Sequence, residues 1–250
     1  DNEPAPVYIQ TNTLRTTREA LAQALGAKLY ASIPGCLVLD SGGDFTGTQP
    51  FRDGHFYVQD PAARMAVMYA GPKPGMKVLD ACAAPGGKSF AAAIAMENRG
   101  TVHARDISDA KLNLVMDGAD RMGLDIIECR AGDARELGDE TYDLVLADVP
   151  CSGLGVIRKK PDIRYRDKAG LDRLPELQAE ILEAAASAVK PGGTLVYSTC
   201  TWRARENGAV TAAFLAGRPD FEKTLERTFR TDTDGTDGFY ICRMERKNEI

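Results

Sequence analysis

Two cysteines follow apolar runs in matching positions. Cys151 lies three residues after Asp148 in "LVLADVPCSG", and Cys200 closes the run "LVYSTCTW" among Ser198, Thr199 and Thr201. Cysteine is more often a small core hydrophobe than a nucleophile, and that reading is kept for Cys36, Cys129 and Cys242. A thiol carried out to the end of a strand, with a carboxylate nearby, is placed instead for covalent catalysis, which splits one hard step into easier ones. The nucleophile needs a lowered pKa, because a free thiol titrates near ~8.5. Lys88 or another nearby basic residue is the expected source of the positive field. The two histidines, His55 and His103, lie close in sequence to neither cysteine, so a papain-like dyad is not expected.

A second candidate is the glycine loop "LDACAAPGGKS", which joins an apolar run to a helical one. Gly86 and Gly87 let the backbone turn tightly, and a helix N-terminus offers free N–H groups. Three ligands compete for it. A phosphate loop requires G-x-x-x-x-G-K-[ST], but the first position is Cys82, and Pro85 removes an N–H that would face phosphate. A dinucleotide site requires G-x-G-x-x-G, which is absent. Asp106, 19 residues past Gly87 and at the end of the next strand, is placed to take two ribose hydroxyls. A nucleoside with a short tail and no diphosphate keeps that carboxylate, and S-adenosylmethionine fits the description.

If a methyl donor occupies the cleft, the thiols point to the acceptor. Oxygen and nitrogen acceptors need only a base, whereas a pyrimidine ring carbon is too weak a nucleophile alone. A thiolate added at position 6 makes position 5 enamine-like. Asp148 is placed to serve the ring at nitrogen 3, and general acid help of that kind contributes ~10²–10⁴-fold. Cys151 is the candidate for releasing the product.

These residues require a scaffold. Strands are expected at "KVLDA" (77–81), "TVHARD", "IIECR", "YDLVLAD" and "TLVYST", alternating with helices over "GGKSFAAAIAMEN", "SDAKLNLVMDGADRMG" (stopped at Gly123), "LDRLPELQAEILEAAASAVK" (stopped by "PGG") and "ENGAVTAAFLAG". That alternation implies an α/β, doubly wound, mostly parallel sheet. The closing runs "FEKTLERTF" and "GFYICRMER" suggest an antiparallel addition at one edge. Ligands of such sheets bind beyond the carboxyl ends of the strands, where Asp80, Asp106, Asp133, Asp148, Cys151 and Cys200 all fall. Residues 1–60 read as a separate small α+β piece. It has strands at "VYIQTN", "CLVLD" and "HFYVQD" and a capped helix at "TTREALAQAL", and residues 61–250 form the main domain.

Composition narrows the class. The 250 residues are 44% hydrophobic and 27% charged, average for a globular protein. No apolar run is long enough to span a membrane, and the N-terminus lacks a signal pattern, so a cytoplasmic protein is expected. No C-x-x-C pair occurs, so neither a metal site nor a disulfide framework is expected. The net charge of −5 weighs against a nucleic-acid partner. Yet residues 158–173, just after Cys151, hold seven basic residues against three acidic ones. Arg158, Lys159, Lys160, Arg164 and Arg166 are the candidate RNA contacts.

"CAAPGGK" (82–88), "DVPCSGLGVIRKKPDIRY" (148–165) and "YSTCT" (197–201), with "FRDGHFYVQD" before and "DGFYICRMER" after, resemble the signature motifs of the Sun (Fmu) family of RNA cytosine-5 methyltransferases. The similarity spans nearly the whole chain. It implies a Rossmann-like S-adenosylmethionine-dependent methyltransferase fold behind a small RNA-binding-like subdomain. It further implies that Cys82, Ala83, Ala84, Pro85, Gly86, Gly87 and Lys88 line the cofactor site. Asp106 would hold the ribose, Asp133 the adenine side, and Asp148 both cofactor and target base. Cys200 would be the nucleophile and Cys151 the release helper. "GVIRKKPDIRY" looks most like the bacterial small-subunit ribosomal RNA branch. Members of that branch usually carry a further NusB-like RNA-binding domain ahead of this point, so a fragment is expected, and a monomer. Two other classes stay open: a P-loop-like NTPase, and an inactive methyltransferase fold that serves as an RNA-binding module.

Overall fold

The computed structural model describes residues 5–39, 44–165 and 167–248. Near the N-terminus lie β1 (Val7–Thr11), α1 (Arg18–Leu25), β2 (Lys28–Leu29), β3 (Cys36–Leu39), α2 (Gln49–Arg52) and β4 (Phe56–Val58). The strands form an antiparallel sheet in the order β2-β3-β1-β4. Thr17 caps α1 by accepting the Ala20 N–H at 3.2 Å, one of the donors that a helix start leaves unpaired. Ile9, Leu21, Leu37 and Phe56 fill the space between helix and sheet.

The larger layer alternates. It comprises α3 (Pro61–Ala70), β5 (Lys77–Asp80), α4 (Gly87–Ala95), β6 (Thr101–Asp106), α5 (Asp109–Met122), β7 (Ile127–Ala131), β8 (Tyr142–Asp148), α6 (Lys168–Asp172), α7 (Leu174–Ser187), β9 (Val189–Thr199), α8 (Gly208–Gly217), β10 (Phe221–Phe229), α9 (Thr231–Asp234) and β11 (Phe239–Arg246). The sheet order is β10-β11-β9-β8-β5-β6-β7. β5 to β9 run parallel, and β11 lies antiparallel between β9 and β10. This is the expected α/β, doubly wound, mostly parallel layer with its antiparallel edge. From β5 the chain winds first towards β6 and β7, then back to β8 and β9. The reversal opens a crevice at the carboxyl ends of β5 and β8, where such folds bind ligands. Among the described residues no helix is long and apolar enough to cross a membrane.

Three details depart from the sequence expectation. Helix α3 was not anticipated. Asp60 caps it through the Ala62 N–H at 2.9 Å and Pro61 opens it, and its buried residues Ala62, Ala66, Val67 and Ala70 recur at helical spacing. The "PGG" segment does not stop a helix. α7 closes at Ser187 and β9 begins at Val189, with Lys190–Gly193 looped out between the Tyr142–Val189 and Leu144–Thr194 pairs. The expected single helix over 171–190 is also divided, α6 ending at Asp172 before α7 starts.

Candidate active site

Sheet order brings the two thiols together. β8 and β9 are parallel neighbours and Asp148 pairs in register with Ser198, so the residues that follow each strand emerge side by side. Cys151 Sγ and Cys200 Sγ lie 3.0 Å apart as free thiols. Their acidities are driven apart. Cys200 falls below the ordinary thiol range, first because the Cys151 S–H donates to it and further because of the Lys88 ammonium; burial and Asp148 oppose this. Cys151 is pushed far up by the same bond and by burial. One proton is thus shared unequally, with the thiolate favoured on Cys200.

Lys88 reaches this point from the first turn of α4. Its ammonium donates to Asp148 Oδ2 at 2.5 Å, while Ser198 Oγ donates to Asp148 Oδ1 at 2.7 Å. Asp148 is therefore doubly held beside the thiols. Asp80, at the end of β5, is fully buried and accepts the Ser89 hydroxyl at 2.8 Å. Burial raises its pKa to about 6, and its other oxygen has no partner among the described residues.

A buried clamp that sequence reading missed fixes both thiol loops. Glu206 is fully buried. Its Oε2 accepts the Ser152 N–H at 2.8 Å and the Gln178 amide at 3.1 Å, and the same amide donates to the Pro150 carbonyl at 2.9 Å. Both neighbours of Cys151 are thereby held. On the other loop, Ser152 Oγ bonds Thr201 Oγ1 at 2.9 Å, and Asn207 donates to the Thr201 carbonyl at 2.9 Å. The Tyr197 hydroxyl donates to the Glu206 carbonyl at 2.6 Å. A glutamate in "RARENG" reads as surface in a sequence, because its partners lie 28 and 54 residues away.

The glycine loop turns at Gly86, whose φ of 107° disfavours any side chain and where a Cβ would collide with the Phe90 ring. The Ala83 N–H donates to the Arg105 carbonyl at 2.7 Å and the Ala84 N–H to Asp106 Oδ2 at 3.3 Å. Asp106 also accepts the Ser108 N–H at 3.0 Å, so one oxygen takes each bond and further lone pairs remain. Cys82 packs against the apolar core that β5, β8 and β9 share with α7, and burial with Asp80 drives its thiol well up. Pro85 and Gly87 complete the turn into α4. Asp133, beyond the end of β7, is gripped by Arg135 and held down to about 2. Among the described residues no cluster of three or more His, Cys, Asp or Glu could hold a metal ion.

The basic stretch is less uniform than its sequence. Lys160 and Arg164 are exposed and Arg158 half-buried. Lys159 is committed: its ammonium bridges Asp60 at 2.9 Å and Asp237 at 2.7 Å, tying the start of α3 to the β11 approach. Its ammonium is thus already ion-paired within the chain, although the residue keeps part of its surface exposed. Arg166 lies outside the described residues. The buried cysteines Cys36 and Cys242 pack in core clusters, and Cys129 lies against one.

Known proteins share this chain's sequence and fold. Residues 67–245 match the family model described as 16S rRNA methyltransferase RsmB/F. A Bacillus subtilis protein described as a probable ribosomal RNA small subunit methyltransferase B is 39% identical over 98% of this chain and 60% of its own length. A Klebsiella pneumoniae ribosomal RNA small subunit methyltransferase B is 36% identical over 99% of the chain and 61% of its own. The chain thus spans about 60% of the length of these curated relatives. Among solved structures, a methyltransferase homolog protein from Pyrococcus horikoshii superposes with a TM-score of 0.85 at 26% identity, covering 98% of this chain and 87% of that one. NSun6 from the same organism, solved with SFG, gives 0.88 at 20% identity over 99% and 92%, a likeness of fold. On the family match, which takes in the glycine loop, both thiols and the clamp, the chain belongs to the RsmB/F family of 16S rRNA methyltransferases.

Proposed function

We propose that this chain transfers a methyl group from S-adenosylmethionine to carbon 5 of a cytosine in RNA, with 16S ribosomal RNA as the substrate. The observation that carries the reading is the thiol pair, 3.0 Å apart with opposite acidities. Simple methylation of oxygen or nitrogen has no use for two thiols.

The cleft residues fit the cofactor by their donor set. Asp106 has lone pairs left for two ribose hydroxyls, and Asp80 keeps an unpartnered buried oxygen. Carboxylates at the ends of β5, β6 and β8 suit a cationic ligand and repel a triphosphate. When bound, the cofactor supplies an electrophilic methyl group on a sulfonium. A P-loop NTPase is disfavoured because the ammonium it would turn to phosphate is spent on Asp148.

The chain's own residues then divide the work. The Cys200 thiolate adds to carbon 6, and the negative charge that develops on the ring is met at the nitrogen 3 edge by the Lys88 ammonium, which Asp148 holds in place. Carbon 5 takes the methyl group. Once Cys200 is a thioether it no longer accepts the Cys151 proton, so the main cause of the raised Cys151 pKa disappears. Cys151 loses that proton to solvent, removes the hydrogen from carbon 5, and the electron pair expels Cys200 as thiolate. One proton is released per turnover. Residues 1–60 serve as the RNA-binding-like subdomain, with Lys160, Arg164 and Arg158 towards the backbone. The inactive-module alternative is disfavoured by the intact clamp around both thiols.

The test is to incubate the protein with labelled S-adenosylmethionine and small-subunit ribosomal RNA, digest, and identify the nucleoside. 5-Methylcytidine is expected. Label on another base or on a ring nitrogen would overturn the carbon 5 reading, and label in no RNA would overturn the substrate class.

A further inference from the structure

A cavity of about 500 Å³ opens beside the Cys200 loop, within the ~300–1,000 Å³ of small-ligand sites. Gly155, Ile157, Arg158, Trp202, Arg230 and Asp232 line it. It borders the thiol site directly: the Gly155 N–H donates to the Cys200 carbonyl at 2.9 Å. Gly155 must be glycine here, since a Cβ would run into the Gly238 carbonyl.

Trp202 is the chain's single tryptophan, and it is 47% exposed. Its position is nonetheless rigid. Thr201 before it is held by Ser152 and Asn207, and Arg203 after it by Glu206 at 3.2 Å. The ring rests on the Gly238 backbone, where a Cβ would stand 2.8 Å from it. A large aromatic surface fixed from behind and bare in front is a stacking platform. Its polar surroundings suit a base rather than an aliphatic ligand. Arg230 and Asp232 form a bidentate pair, both bonds 3.1 Å, and Asp237, which also lines the cavity, is paired with Lys159, so these groups offer hydrogen-bonding edges with their charges matched. Arg158 stands at the wall as a cation for a backbone phosphate.

We propose that this cavity receives the base of a nucleotide adjacent to the target cytosine, stacked on Trp202, with its phosphate on Arg158. The inference rests on the RNA reading above and adds to it a specificity subsite. An enzyme that unstacks its target must hold the flanking strand open, and sequence-specific RNA recognition commonly uses splayed bases on aromatic side chains. Trp202 lies two residues from Cys200, so a base seated there is within one nucleotide's reach of the thiol.

The single tryptophan supplies its own probe. Single-stranded, end-labelled oligoribonucleotides containing one cytosine are titrated in, with label anisotropy and tryptophan emission read together. The expected result is saturable quenching of emission that tracks anisotropy. Trp202→Ala should weaken binding about tenfold, with Trp202→Phe retaining most of it, and thermal melting should show both variants folded. Arg158→Gln should lower the salt slope by about 0.7. Binding by anisotropy with emission unmoved and Trp202→Ala as tight as the parent overturns the subsite and leaves the RNA reading standing. No binding by anisotropy at low salt overturns both.

Discussion

Cys36 and Cys200 are both thiols shielded from water, and shielding alone raises a thiol's pKa. Cys36 obeys: it is pushed up to about 12, although the Gln10 amide donates to it at 3.3 Å. Cys200 does the opposite, because its neighbours are a thiol proton and an ammonium. The distinction between a packing thiol and a nucleophile therefore lies in the donors aimed at the sulfur and not in burial. Those donors come from the ends of other elements, Cys151 after β8 and Lys88 on α4, which only the sheet order brings together.

The largest effect that tests this contrast is loss of the thiol itself. Cys200→Ser should reduce methyl transfer below detection, while Cys36→Ser at the contrasting site should leave the turnover number within about twofold and cost only stability, on the order of 1 kcal/mol. Next comes the clamp. Glu206→Ala leaves the Ser152 N–H and the Gln178 amide without their buried acceptor, at a cost of roughly 1–3 kcal/mol. It should also free the two loops, so that turnover falls more than stability predicts; a loss confined to melting temperature would reduce Glu206 to a structural residue. A subtler effect concerns acidity. Cys151→Ala removes the strongest cause of the low Cys200 pKa, so the pH profile of iodoacetamide alkylation at Cys200 should move towards alkaline pH, with slower labelling at neutrality. An unmoved profile would mean that Lys88 alone sets the thiolate.

The smallest expected effect lies away from the chemistry, at the other lysine held between acids. Burial, then Asp60, raises Asp237 to about 6. A carboxyl whose folded pKa exceeds its unfolded value favours folding most at low pH, and that contribution is lost as pH rises through the folded value. Lys159→Met removes the cation that offsets this loss, so its melting temperature should drop more at pH 7.5 than at pH 5. An equal drop at both would remove the ion-pair account.

Much of this was legible in the sequence. The strand–helix alternation showed because "TVHARD" and "YDLVLAD" carry their own strand signals and the helices between them their apolar spacing, with Gly123 as a stop, and the thiols stood out by their place at strand ends. Glu206 and Lys159 did not show, because a charged residue in a loop looks the same whether it ends in water or on partners remote in the sequence. Helix α3 was missed although its start signals, Asp60 and Pro61, stand in the sequence, and "PGG" misled because a looped-out segment within a strand carries the residues of a helix stop.

The most direct test of the covalent account is to trap the adduct. Cys151→Ala, incubated with S-adenosylmethionine and small-subunit ribosomal RNA, should give a protein–RNA band that survives denaturation and disappears when Cys200→Ser is added. A band that persists without Cys200, or a Cys151→Ala enzyme that turns over normally with no adduct, would contradict the roles assigned to the two thiols.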